Sequence, residues 1–268
     1  MMMSKAVNEG VHSHKCRPTA RRIERTVTDR SLCSFYDTVE LPDGSITNAQ
    51  WDLRGGVEQY LGEVDFSARS VLEIGPASGF LSFYMEKKGA RVTCVEPPME
   101  TFWDLVPRAG VDLESLKNQF GSHIQRIRNS FSYLHFLNHS SVELYEADAY
   151  DIPDALGTFD YGLLACVLLH CSSPVRMMES VSRRVKDTII ICETYEENMG
   201  SAPTCRLVPA KDNDTIDTWW RFTPEFFVNY LGILGFSTAR VVRHRQLFAL
   251  TNTWCEMFTV VASRSSAP

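Results

Sequence analysis

The sequence predicts an α/β fold, with a mostly parallel seven-stranded sheet, helices on both faces and an antiparallel last strand. Three observations carry this. From Ser70 onward, continuous apolar runs alternate with helical stretches, as strands covered on both faces require. A glycine turn, Glu73-Ile74-Gly75-Pro76-Ala77-Ser78-Gly79, joins the first such run to a helix. The last two runs, "STARVVRHRQ" and "CEMFTVVAS", have no helix between them and read as an antiparallel pair. The chain divides into a flexible N-terminal tail (1–30), a cap or lid segment (31–66) and a core domain (67–268). The core carries a helical insertion at 97–140 and a loop insertion at 194–218.

The elements follow in order. The tail is polar and lacks apolar periodicity, with room for a short helix around Arg21–Val27. Its His12, His14 and Cys16 have no second ligand cluster at metal spacing, so no metal site is expected. In the cap, Asp43-Gly44 marks a tight turn and "VEQYLGEV" a short helix. "SVLEI" is the first core strand, Gly79–Lys88 a helix with Leu81 and Met85 on one face, and "RVTCVE" the second strand. Ile124, Ile127, Phe131 and Leu134 recur at three and four, the mark of an amphipathic helix. "SVELYEAD" and "DYGLLACVLL" are the third and fourth strands, and Ser173-Pro174 caps and opens the next helix. "DTIIICETY" is the fifth strand. Thr223 and Pro224 repeat the capping device, and Gly235 stops that helix.

Composition bounds the setting. A chain of 268 residues with 44% hydrophobic residues supports one large core. No uninterrupted apolar run approaches the roughly 18 residues of a membrane span. The N-terminus has no apolar secretory core, and the eight cysteines form no CxxC pair. These features predict a reducing, cytoplasmic setting with no membrane partner. The net charge of −6 argues against a nucleic-acid partner. The local clusters Arg17, Arg21, Arg22, Arg25, Arg30 and Arg240, Arg243, Arg245 read as solvated surface.

The glycine turn narrows the ligand. A G-x-G-x-x-G fingerprint fails because Ala77 and Phe80 stand at its second and third glycine positions. A phosphate loop fails because Phe80 and Leu81 follow Gly79. What remains, E-x-G-x-x-x-G, resembles motif I of class I S-adenosylmethionine-dependent methyltransferases. The resemblance implies S-adenosyl-L-methionine as cofactor and S-adenosyl-L-homocysteine as product. Gly75, Pro76, Ala77, Ser78 and Gly79 would cradle the donor, with Glu73 near its ammonium. Glu96, seventeen residues after Gly79, ends the second strand and would accept both ribose hydroxyls. Asp148, after the third strand, would meet the adenine amino group. Pro97, Ala149, Tyr150, Cys166 and Val167 flank these positions and complete the set, with Tyr36, Trp51 and Arg54 from the cap.

A closer resemblance covers about residues 33–240. "FYDTVELPDGSITNAQWDLR", "RIRNSFSYLH", "YDIPDALGTFDYGLLACVLLHCSSP" and "TWWRFTPEFFVNYLGILGF" are similar to segments of the group around the tRNA wobble-uridine (5-hydroxyuridine) carboxymethyltransferases. That group also holds many small-molecule methyltransferases. This chain departs from it at Phe35, where Trp is usual, at Asn48-Ala49 and at Cys171. A carboxylated donor would need extra cations, and Arg54 is the candidate.

Methyl transfer needs an aligned nucleophile and, where necessary, a base. His170, at the end of the fourth strand, is either that base or a packing residue. Glu193 and Tyr195, past the fifth strand, are second candidates. Phe35, Arg128, Trp219 and Trp220 are the candidate substrate residues, with Tyr60 also at the mouth. The expected function is methyl transfer to an O, N or S nucleophile of a small-molecule acceptor, by a monomer or homodimer. One alternative is a tRNA wobble-uridine (carboxy)methyltransferase, with a basic face built from the N-terminal arginines and Arg126, Arg128, Arg183 and Arg184. Another is a non-catalytic donor-binding regulatory protein.

Overall fold

The computed structural model describes residues 19–100 and 104–265. The His12, His14 and Cys16 cluster and Arg17 lie outside the described residues.

The N-terminal region supplies β1 (Arg21–Arg22), β2 (Phe35–Asp37), β3 (Ala49–Asp52) and α1 (Val57–Tyr60). The alternating core follows as β4 (Ser70–Ile74), α2 (Phe80–Lys87), β5 (Arg91–Glu96), α3 (Leu113–Leu137), β6 (Glu143–Glu146) and β7 (Phe159–Ala165). It continues with α4 (Pro174–Ser182), β8 (Val185–Thr194), β9 (Cys205–Leu207), β10 (Trp220–Phe222) and α5 (Pro224–Ile233). The hairpin β11 (Thr238–Phe248) and β12 (Thr253–Ser263) closes the fold.

One sheet runs β1-β6-β5-β4-β7-β8-β12-β11-β3-β2. Its middle, β6-β5-β4-β7-β8, is parallel, and β12 and β11 add antiparallel. These are the seven strands expected, but the sheet has ten. The extra three come from the N-terminal region and sit on the two edges, where unpaired backbone groups seek partners. Residues 19–30 are therefore not all loose tail. Arg21 and Arg22 pair with Glu146 and Tyr145 as strand, not helix.

Period-two side-chain alternation builds a core on each face. Leu72, Leu164, Ile189 and Ile191 face Met178, Val181, Phe227 and Leu231 of α4 and α5. Val71, Leu163 and Ile190 face Tyr60, Met85, Phe131 and Leu134 of α1, α2 and α3. Ser173 and Thr223 stand at the helix-cap positions, yet neither hydroxyl caps its helix. Thr223 Oγ1 instead accepts from Thr204 N at 2.9 Å and donates to the Ala202 carbonyl. Asp112 caps α3, accepting from Glu114 N and Ser115 N. Among the described residues no helix is long and apolar enough to cross a membrane.

Candidate active site

A cavity of about 420 Å³ opens at the carboxyl ends of β4, β5, β6 and β7, beneath β2 and β3. Each strand end delivers part of its wall. The β4 end brings Glu73, Gly75, Pro76 and Ala77, and the β5 end Glu96 and Pro97. The β6 end brings Asp148, Ala149 and Tyr150, and the β7 end Cys166, Val167 and His170. The roof adds Tyr36, Asp37 and Trp51, while α1 adds Tyr60 and α3 adds Arg128.

The two glycines of the turn do different things. Gly75 has φ +69°, and a Cβ there would come within 3.0 Å of Val167, so it permits a close backbone approach at the cavity. Gly79 has φ +89°, but its missing Cβ makes room for Phe83 and Phe131, at 2.5 and 2.8 Å. It is a packing glycine outside the cavity wall. Ser78, fully buried, also lies behind the wall and ties the roof down. Its hydroxyl accepts from Tyr36 N and Asp37 N and donates to Asp37 Oδ2 at 3.3 Å. Two non-glycine wall residues, Ala77 (φ +49°) and Cys166 (φ +51°), hold the left-handed conformation. Such strain is common where a backbone is shaped around a ligand.

The acids differ in surroundings. Glu73 is buried and accepts from Ser82 Oγ at 2.5 Å and Cys94 Sγ at 3.5 Å. Burial pushes its carboxyl up to about 7, against those hydrogen bonds. Asp37 is likewise pushed up to about 7, chiefly by burial, with Glu73 adding and Ser78 opposing. Burial raises Glu96 too, while Arg128, 3.4 Å away, pulls it back. Arg128 was expected at the substrate mouth. It bridges Glu96 and Glu146, each at 3.4 Å, and also donates to the Pro97 carbonyl. Asp148 is exposed and accepts from Tyr150 N at 2.8 Å.

His170 ends a short 3₁₀ turn (Leu168–His170) after β7. Its Nδ1 lies 2.6 Å from the Asp217 carbonyl, so Nδ1 carries the proton in the neutral ring and Nε2 the lone pair. Burial lowers its pKa, with Asp217 opposing. Glu193 is not past its strand. β8 extends through Thr194 because β12 pairs along it, and Glu193 is buried beneath the turn, accepting from Leu169 N at 3.2 Å. Burial raises its pKa strongly. Tyr195 faces elsewhere, its ring covered by the Arg243 guanidinium at 3.6 Å.

The remaining expected residues fall beside the cavity. Phe35 stacks edge-on against Tyr133. Arg54 is held by both carboxylate oxygens of Asp52, at 2.8 and 2.7 Å. Trp219 donates its indole N–H to the Asp104 carbonyl, and Trp220 donates to the Cys171 carbonyl at 2.8 Å. Both tryptophans therefore fasten the rim. Val106 N donates to the Ile216 carbonyl at 2.8 Å, so the two insertions meet there. Sequence reasoning missed Asp37 and Asp104 on the wall, and read Ile124 and Ile127 only as a helix face. Asp37 directly follows the quoted Phe35-Tyr36 pair, but nothing local marks it as buried. Among the described residues no group of three metal-ligating side chains converges.

No family model and no curated protein matches the chain. Solved structures do. The N-terminal domain of EvdMO1, crystallised with S-adenosylhomocysteine and D-fucose, is 18% identical, with 88% of this chain and 94% of that one covered and a TM-score of 0.54. Magnesium protoporphyrin IX methyltransferase from Synechocystis PCC 6803, with bound S-adenosylhomocysteine, is 14% identical over 80% of this chain and 82% of that one, with a TM-score of 0.48. A Burkholderia thailandensis 1,6-didemethyltoxoflavin-N1-methyltransferase is 16% identical, covering 78% and 75%, with a TM-score of 0.45. The first likeness establishes a shared Rossmann-like fold.

Proposed function

We propose that the chain is an S-adenosylmethionine-dependent methyltransferase acting on an O, N or S nucleophile of a small-molecule acceptor. One observation carries the reading: Gly75, Pro76 and Ala77 of the glycine turn and the three strand-end acids, Glu73, Glu96 and Asp148, line a single cavity. The first structural neighbour, crystallised with the homocysteine product, has the same fold.

The wall suits a cationic donor. Its carboxyl groups are Asp37, Glu73, Glu96, Asp104 and Asp148, and Arg128, already bridging two acids, is the cation among the described wall residues. Glu96 and Asp148, both on the cavity wall, would take ribose and adenine on this reading. The Tyr36, Trp51 and Tyr60 rings offer π faces to a sulfonium. When bound, the donor supplies an activated methyl group. His170, on the cavity wall, would take the nucleophile's proton as that nucleophile bonds to the methyl carbon and the sulfonium–methyl bond breaks.

The tRNA-modifying reading has less support. Arg126 is bonded to the Ser31 and Cys33 carbonyls, Arg183 and Arg184 pair with Glu179 and Asp154, and Arg22 pairs with Glu143. These cations are consumed locally instead of forming a platform for phosphates. Arg54, the cation expected for a carboxylated donor, is committed to Asp52, and among the described wall residues the cation is Arg128, which already bridges two acids. None of the seven described cysteines forms a disulfide.

Calorimetric titration with S-adenosylmethionine and S-adenosylhomocysteine tests the reading. Binding of both in the micromolar range, about −8 kcal/mol, supports it. Folded protein that binds neither sinks it.

A further inference from the structure

We infer that Asp37, on the roof strand β2, is the carboxylate that receives the donor's primary ammonium, while Glu73 of the glycine-turn motif braces the turn from behind. The inference rests on the reading of the cavity as a donor site.

The two carboxyl groups are committed differently. Glu73 Oε2 takes the Ser82 hydroxyl from α2 at 2.5 Å and the Cys94 thiol from β5 at 3.5 Å. Both partners belong to elements that pack behind the turn. This carboxylate therefore already links β4, β5 and α2. Asp37 has 6% of its surface exposed and lines the cavity. Its carboxyl group receives the Ser78 hydroxyl at 3.3 Å, a long bond that leaves most of its acceptor capacity unused. A desolvated carboxyl with capacity to spare, next to a second acid, calls for a cation.

Position selects which cation. Asp37 is fixed to the glycine turn by a reciprocal pair, since its own N–H also donates to Ser78 Oγ, at 3.2 Å. The turn is the part of the wall that meets the amino-acid end of the donor. The adenosine end belongs to Glu96 and Asp148, on the far side of β4. An ammonium at the turn can give one N–H to Asp37 and still leave two for backbone carbonyls. The donor would then be held from two directions, with the sheet carrying adenosine and the roof carrying the ammonium.

The test compares two ligands that share adenosine and sulfur. S-adenosylhomocysteine keeps the ammonium, and methylthioadenosine lacks the amino-acid end altogether. In calorimetry, Asp37→Asn is expected to weaken S-adenosylhomocysteine by roughly tenfold to a hundredfold and to leave methylthioadenosine within about twofold. Glu73→Gln should change the ratio of the two affinities far less. If Asp37→Asn does not fold, Asp37→Ser serves, because it removes the charge and keeps a hydroxyl toward Ser78. Equal weakening of both ligands would make Asp37 a structural tie and overturn the inference. So would unchanged S-adenosylhomocysteine binding with lost turnover, which would move Asp37 to the acceptor. Failure of the wild-type protein to bind either ligand is a separate result, which removes the donor site and this inference with it.

Discussion

The Asp217 carbonyl oxygen stands 2.6 Å from Nδ1 of His170 and selects the ring nitrogen that can act as base. Asp217 belongs to the loop insertion, so a segment remote in sequence sets the tautomer. His170→Ala should lower turnover by about 10²-fold while S-adenosylhomocysteine affinity stays nearly constant. Burial lowers the His170 pKa, so the ring stays neutral down to a more acidic pH than free histidine. The acid limb of kcat should therefore fall below pH 6.5, the unperturbed value. Equal turnover in the alanine variant would leave the ring a packing role.

Glu96→Ala should weaken the donor about tenfold or more by removing a charge-assisted acceptor for two hydroxyls. Arg128 makes a different prediction. Arg128→Met leaves Glu96 and Glu146 facing each other without their shared cation. The expected loss is about 3 kcal/mol of stability, read as the urea midpoint.

Asp37 and Glu73 should make the ligand-free protein less stable as pH rises. Both carboxyls are pushed up to about 7 in the fold, whereas the unfolded chain releases its protons near 4. Between those values the folded state holds more protons, so stability falls with rising pH, by about 1.4 kcal/mol per unit for each retained proton. Melting temperatures measured from pH 5 to pH 8 should decline, and Asp37→Asn should flatten the decline. Bound S-adenosylhomocysteine should reverse part of it, since an ammonium favours the ionised carboxylate.

Gly79→Ala and Gly75→Ala should separate packing from binding. Alanine at 79 needs a left-handed backbone and meets Phe83 and Phe131. It should cost about 2 kcal/mol or more, with donor affinity retained in the folded fraction. Alanine at 75 carries the same left-handed strain but meets only Val167 side-chain atoms at the cavity, so it should cost less stability than alanine at 79 and more donor affinity.

Much of the architecture was legible because the central strands are apolar on both faces. The acids at 73, 96 and 148 were legible because they stand at or just past the ends of those strands. The roof was not. β2 is three residues long, shows no alternation, and is placed through β3 by a pairing with β11. Asp37 therefore looked like any acid in a preamble. Glu193 was read as a site residue because nothing local shows that the turn after β7 buries it, and Arg21–Arg22 carries no strand signal at all. Gly79 matched a ligand-binding pattern while serving two phenylalanines, which only the packing reveals.

The pairing of Asp52 with Leu247 and Trp51 with Phe248 also fixes an order in time. The roof strand β3 leaves the ribosome well before its sheet partner β11. Nucleotide-shaped ligands therefore have no finished pocket to enter until β11 has been made. Loop closure over so long a separation is slow relative to the local βαβ contacts of the core. In pulse-labelled hydrogen exchange during refolding, the β4 and β7 amides should gain protection before those of β3. Simultaneous protection would show that roof and core form as one unit.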